Sequence, residues 1–505
     1  LLVAALAFAA SVGGEASATT PAAPVPAMTD AQRTEWFKDY DEAVARGAKQ
    51  QAADALLPIL ADPTKSAGHG DAWIKLGDLL ESFDMSYSAL IAWRNAIEID
   101  PNIATQHVGK AMDVAEKLGD EALLAPALAK NVGLPVDAAT RSRMAYLAAR
   151  HNLTEGQYGL ATGILMMVDK SSPVYPQAEA LRGIVLSQQE KYNEALAPLL
   201  IARQVGNPEE GARWDNMLTL NVARANYGAG NYAGAIEHFE DVSRESEFWP
   251  ESVFERAWAH FRLDDMNGAL AQLHTLDTPY FEAWYLPEAD LLRTYSLFMM
   301  CKFPQATKEI DAFAARWSPT RDALTSSIAG TSRQQAWDDV KALDEGKATK
   351  LPTEVLQRFA KEDRIHDAFA TVAKADDELG RLQAASASPF AAQARDWLTQ
   401  RRAEIIDIEG QRVLDSAERA RAQLADMLNN VDITRLDMMQ FETQLYERAA
   451  VTGTLEFGDP IGKLRKLRKQ RGTRVWPYEG EIWADELGWY VYDARPDCPE
   501  GLQAR

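Results

Sequence analysis

The feature that most constrains this chain is a spacing. In the segment Asp71–Asn102, DAWIKLGDLLESFDMSYSALIAWRNAIEIDPN, Trp73, Leu76, Gly77 and Leu80 fall on a first helix. Ala89, Trp93 and Ala96 fall on a second, with Pro101 just after it. Two antiparallel helices approach closely only where side chains are small, and Gly77, Ala89 and Ala96 supply that contact. Trp73, Leu76 and Trp93 fill the space around it, and Pro101 cannot continue the second helix.

The pattern returns from residues 142, 176, 216, 250 and 287, a period of about 34 residues with small insertions. Gly156, Tyr158 and Ala161 mark the first of these copies, Gly183, Leu186, Tyr192 and Ala195 the second. Ala223, Gly230, Tyr232, Ala235 and Phe239 mark the third, Ala257, Ala269 and Leu273 the fourth, and Phe303, Ala306 and Ile310 the last. Ile103–Val136 reads as a degenerate copy, and Asp30–Pro63 as a helical hairpin that caps the array. A phase held this long predicts an all-α stack of hairpins, each burying one face on its neighbours.

These residues resemble the tetratricopeptide repeat family over Asp71–Thr320, most specifically at Asp71–Asn102. The resemblance implies an α-solenoid, a right-handed superhelix of helical hairpins, whose first helices line a concave groove. In the later repeats that groove would present Arg224, Tyr227, Phe254, Trp258, Arg262, Tyr295 and Phe298 as partner-binding residues. Aromatic side chains and arginine are the types enriched at interface hot spots. The other reading is that part of the same chain fills the groove.

The array is expected over residues 30–320, after a partial signal peptide (1–18) and a Pro/Ala-rich linker (19–29). LLVAALAFAA followed by SVGGEASA reads as the apolar and cleavage regions of a secretory signal, with Ala16 and Ala18 before a cut at Thr19. A hydrophobic leader with no targeting role is the plain alternative. No other stretch is long and apolar enough to span a bilayer. Residues 321–475 read as a helical module. Helices are expected over Pro319–Ala342 and Pro352–Asp377, then one or two long helices over Phe390–Tyr446. There Ile405, Ile408, Val413, Ala417 and Leu424 form an apolar stripe that packs back on the array or mediates oligomerisation. KLRKLRKQRGTR at Lys463–Arg474 is a basic run, read as a helix end docked on the protein's own acidic body or as a contact with an anionic partner. Residues 476–505 form an aromatic and acidic ending, read as a seal over a helical core in which the rings bury area while the acids meet the preceding basic run.

A net charge of -21 over 505 residues argues against nucleic-acid partners. The histidines are scattered, and HExxH, GxSxG, P-loop and dinucleotide motifs are absent, so no enzyme activity, metal or cofactor is expected. Cys301 and Cys498 are too few for a disulfide framework. They can pair in an oxidising compartment, but the plainer reading is two free thiols, with Cys301 buried between helices.

The segments FEAWYLPEADLLRTYSLFMMCKFPQATKEIDAF and WPYEGEIWADELGWY look similar to exported repeat proteins of myxobacteria-like bacteria, some of them in adventurous gliding motility machineries. That similarity implies a periplasmic scaffold whose partners are other proteins of the cell envelope. A peptidoglycan- or outer-membrane-assembly binding module is the alternative. A cell-wall enzyme using carboxylates within Glu479–Glu486 is a further one.

Overall fold

A computed structural model describes residues 28–62, 68–281, 285–384, 388–452 and 482–498. The signal segment, most of the linker, the basic run, and Trp476, Tyr478, Glu479 and Glu481 lie outside the described residues. The chain divides into two compact units, Leu1–Asn207 with Asp363–Ile408, and Pro208–Glu362 with Glu409–Arg505. The described residues contain helices and no strand. The architecture is the expected all-α array of tetratricopeptide-type hairpins followed by a long-helix module.

Five hairpins build the first unit: α1 (Asp30–Ala45) with α2 (Lys49–Leu60), α3 (His69–Glu81) with α4 (Ser86–Ile99), α6 (Val108–Leu118) with α7 (Glu121–Lys130), α8 (Ala138–Thr154) with α9 (Tyr158–Leu165), and α10 (Tyr175–Gln188) with α11 (Tyr192–Val205). A single turn, α5 (Pro101–Ala104), follows α4. The second unit holds α12 (Ala212–Gly228) with α13 (Tyr232–Glu240), α14 (Trp249–Arg262) with α15 (Met266–Leu276), and α16 (Pro287–Met299) with α17 (Phe303–Ile328). Then come α18 (Arg333–Asp344) and α19 (Thr353–Leu356). The chain returns to the first unit in α20 (Asp363–Ala384), and α21 (Pro389–Thr452) is one helix of 64 residues.

Each hairpin turns at one residue placed two before its second helix. Gly47, Asp84, Gly119, Gly156, Glu190, Gly230, Asp264 and Cys301 occupy these turns with φ from 56 to 81°. Asp84, Glu190, Asp264 and Cys301 hold this conformation despite a side chain that disfavours it. Below the turn the helices meet at small residues. A Cβ on Gly77 would lie 2.3 Å from Trp93 Nε1, and one on Gly183 2.5 Å from Leu199 Cγ. Trp93, Leu76, Leu80 and Leu90 are fully buried around the first of these contacts.

The returning helices close the first unit. Glu378 of α20 accepts hydrogen bonds from Tyr87 N (2.9 Å) and Ser88 N (2.8 Å), capping α4, whose own cap residue Met85 supplies no side-chain bond. Burial pushes the Glu378 carboxyl up, and the two residues it caps work against that shift. Asp120 caps α7 at Leu123 N and receives Arg401 Nε (2.8 Å) and Nη2 (2.6 Å) together with the Tyr87 hydroxyl. Burial, then the Asp120 charge, hold the Tyr87 hydroxyl far above its ordinary pKa.

In the second unit, residues 409–452 of α21 bury Val413, Ala417, Leu424, Val431 and Met438 along one stripe. Gly410 lies against the Arg333 backbone, where a Cβ would come within 2.1 Å of a carbonyl oxygen. Arg412 pairs with Glu362 and sits over the Phe359 ring.

Two boundaries differ from the sequence reading. A helix was expected to begin at Pro319, but α17 runs through that residue. Trp317 and Leu324 are buried on either side of it (3 % and 0 % exposed), and their packing outweighs a proline penalty of about 3 kcal/mol. The helix expected from Pro352 is broken between α19 and α20.

Gly77→Ala should destabilise the first unit by about 1–3 kcal/mol, because the new methyl group must displace a fully buried indole. Gly133→Ala, with open space around its Cα, should stay within about 0.5 kcal/mol of wild type. Urea unfolding of both variants tests the contact.

Candidate protein-binding groove

The first helices of successive repeats stack so that charges about one repeat apart meet. In the first unit Lys75 reaches Asp41 (3.3 Å), Lys110 reaches Asp78 (3.2 Å) and Arg143 reaches Glu116 (3.0 Å). Arg150 pairs with Glu121 and covers the Tyr146 ring. Much of the charge on this face is therefore used between neighbouring repeats.

The same register in the second unit explains Arg224. Its Nε donates to both Glu255 oxygens at 2.9 Å, and its Nη2 donates to Glu255 (2.6 Å) and Glu251 (2.7 Å). Burial works against the guanidinium charge, but Glu255 and then Glu251 raise its pKa above the ordinary value. Burial also raises the Glu255 carboxyl, and Arg224 opposes that shift. The expected partner-binding arginine is thus engaged by two glutamates of the next repeat. Sequence reasoning passed over Glu251 and Glu255, although opposite charges spaced by roughly one repeat carried the signal.

The remaining groove residues divide. Phe254 is 9 % exposed and belongs to the core with Val253, Ala257 and Leu273. Tyr295 is half-buried and hydrogen-bonded to Thr434 of α21. Phe298 packs on Phe303 at 6.1 Å, and Phe303 in turn meets Phe441 of α21 at 5.6 Å. The α16 end of the groove is therefore filled by the chain's own long helix. On α12 and α14 the picture is different. Tyr227 stands edge-on to Tyr232 (5.2 Å), and exposed Arg262 lies 4.8 Å over the Tyr232 ring. Trp258, one turn before Arg262, is half-buried with its edge 5.8 Å from Phe261. Tyr227, Trp258 and Arg262 form a partly exposed aromatic and cationic cluster.

The aromatic ending covers part of the helical core. Residues 482–498 form a strap across α14–α17. Arg244 donates to the carbonyls of Ala484 (2.7 Å) and Asp485 (3.1 Å). Leu487 is buried in the core with Trp249 and Leu276. Gly488 N donates to Thr275 Oγ1 (2.9 Å), and Asn267 exchanges two hydrogen bonds with the Ala494 backbone (3.0 and 3.1 Å). Asp497 N donates to the Met300 carbonyl (2.8 Å). A Cys301–Cys498 disulfide fixes the end, so the reading of two free thiols is corrected. The chain brings the cysteines together because the strap runs back to the α16–α17 turn, a route no local pattern encodes.

Among the described residues no group of three or more His, Cys, Asp or Glu is placed to hold a metal ion, and no helix is long and apolar enough to cross a membrane.

Arg224→Met should destabilise the second unit by about 2–4 kcal/mol by leaving Glu255 buried without its cation, whereas Trp258→Ala should cost about 1 kcal/mol or less. Thermal unfolding of the two variants separates the ion-paired residue from the half-buried one. The strap should also respond to pH. Burial, then Arg293, hold His274 below its ordinary pKa of 6.5, and Tyr490 packs on its ring at 4.5 Å with Tyr492 beyond at 5.9 Å. The unfolded chain takes up this proton first. The stability that neutral His274 contributes is thus full above 6.5 and is lost as pH falls below that value. Hydrogen exchange at residues 488–494, corrected for intrinsic rates, should show weaker protection at about pH 5 than at about pH 7.5, and His274→Phe should remove the difference.

No family model matches the chain, and no curated protein matches it. Among solved structures it is similar to a tetratricopeptide repeat protein from Parabacteroides merdae at 15 % identity, covering 53 % of this chain and 99 % of that one with a TM-score of 0.25. It is also similar to a Rap protein complexed with Competence and Sporulation Factor, at 11 % identity over 74 % of this chain and 98 % of that one, TM-score 0.27.

Proposed function

We propose that this chain is a protein-binding scaffold that engages a partner through the first-helix face of α12 and α14. The observation that carries the reading is the Tyr227, Trp258 and Arg262 cluster. Its side chains are of hot-spot type, they remain partly exposed, and they stand on helices held by the Arg224–Glu255 pair. Rigid helices presenting aromatic anchors suit an extended or helical peptide laid along the groove.

The proposal places the scaffold in the periplasm, where it links components of a cell-envelope complex. The apolar leader supports export. The Cys301–Cys498 disulfide supports it too, because such bonds persist in oxidising compartments. The resemblance of residues 281–313 and 476–490 to exported repeat proteins makes a gliding motility machinery the specific assembly to test.

The test is a crosslinking pull-down from native envelopes, comparing wild type with Trp258→Ala plus Arg262→Gln. The double variant should lose a discrete set of partners while its helical circular dichroism stays unchanged. An unchanged partner set would reject this groove. Recovery of the intact chain in the cytoplasmic rather than the periplasmic fraction would reject the export reading.

A further inference from the structure

The strap has an inner and an outer face. Inward, Leu487, Tyr490 and Ala494 dock on α14–α16, and the backbone is tied at both ends and in the middle. Outward, Trp483 is 58 % exposed, Trp489 73 % and Val491 71 %. Rings this exposed usually sit on segments that can fold them away. Here the pinned backbone prevents that, so their ordering cost is already met before any partner arrives.

The charge the strap itself carries is mainly acidic. Residues 482–498 carry Asp485, Glu486, Asp493 and Asp497 against a single basic residue, Arg495, and Asp497 is paired with Lys302. Arg244 and Arg256 give hydrogen bonds to strap carbonyls, and Arg293, near Tyr492, is paired with Asp277. Arg244 also covers Trp249, and Arg256 pairs with Glu240, so neither neutralises the ridge. Asp485, Glu486 and Asp493 are in no ion pair among the described residues. A row of exposed indoles between carboxylates is complementary to side chains that carry a cation on an apolar stem. Arginine and lysine do so, stacking on the rings and meeting the acids with their charged ends.

We propose that the outer face of this disulfide-held strap is a second docking surface, which takes a basic, partly apolar segment of a partner protein. Trp483 and Trp489 form the stacking platform, Asp485, Glu486 and Asp493 supply the countercharge, and the Cys301–Cys498 bond keeps the platform presented. The surface is separate from the α12–α14 groove and does not rest on that groove's function.

The experiment uses the full chain and a fluorescein-labelled peptide of alternating Arg and Leu, followed by anisotropy at physiological salt. A Glu–Leu peptide of equal length is the control. Wild type should bind the Arg–Leu probe and not the control. Trp483→Ala plus Trp489→Ala should weaken binding about tenfold with unchanged circular dichroism, since both rings point away from the fold. Cys301→Ser plus Cys498→Ser should weaken it about threefold or more by freeing the strap. Trp258→Ala should leave it unchanged. The proposal is overturned if the probe does not bind or binds equally after loss of the two tryptophans. Strap-dependent self-association in sedimentation, abolished by the same tryptophan substitutions, would overturn it in favour of a second copy as the occupant. Equal binding by the cysteine-free chain would overturn the role given to the disulfide.

Discussion

The structure depends on how closely the two helices of each hairpin approach. That distance is set where Gly77 meets Trp93 and Gly183 meets Leu199, contacts with no room for another methyl group. The left-handed residue at each turn then brings the second helix back in register. Because turn and contact recur with nearly constant spacing, first helices stack on first helices. Residues about one repeat apart become neighbours, and the Lys75–Asp41, Lys110–Asp78 and Arg224–Glu255 pairs follow from that geometry. Exposed pairs of this kind add little stability. Arg224 is different, because its partner Glu255 is buried and cannot be left alone.

A bare stack of hairpins leaves turns, helix ends and terminal faces uncovered. Both units answer this with chain from far downstream. In the first, Glu378 caps α4 and Arg401 neutralises Asp120, so a buried helix start and a buried carboxylate both depend on residues outside the repeats. In the second, α21 covers the α16 end of the groove through Thr434 and Phe441, and the strap spans α14–α17. What remains partly open is the stretch around Tyr227, Trp258 and Arg262, bounded by surfaces the chain has already used.

The repeats were legible because each of their residues does a local job. Gly77, Ala89, Trp93 and Pro101 declare a hairpin within one short window, and the hydrophobic period extends the statement along the chain. The same locality explains what was not legible. Nothing in the sequence around Cys498 names the α16–α17 turn as its destination, and nothing in the stripe of α21 says which surface it will cover. At Pro319, where a helix start is expected, the tertiary packing of Trp317 and Leu324 carries α17 through the residue. At the groove, residue type singled out aromatic and cationic positions on first helices. It did not separate Phe254, buried in the core, and Arg224, held by Glu251 and Glu255, from the exposed Arg262, because that distinction lies in neighbours one repeat away.

The strap has a consequence for the order in which the molecule can be made. An ordinary repeat array completes each hairpin as soon as its neighbour exists, so it can grow behind the ribosome or a translocon one hairpin at a time. Here Arg244, Asn267 and Thr275 wait for partners 213 to 241 positions downstream, and Cys301 waits 197 positions for its partner. Contacts of that sequence separation form late and slow the final step of folding. Until then the surface reserved for Leu487 stays uncovered, so a nascent or truncated chain presents an apolar face that the finished protein does not. For an exported chain, that interval is when chaperones and proteases can distinguish an unfinished copy from a complete one.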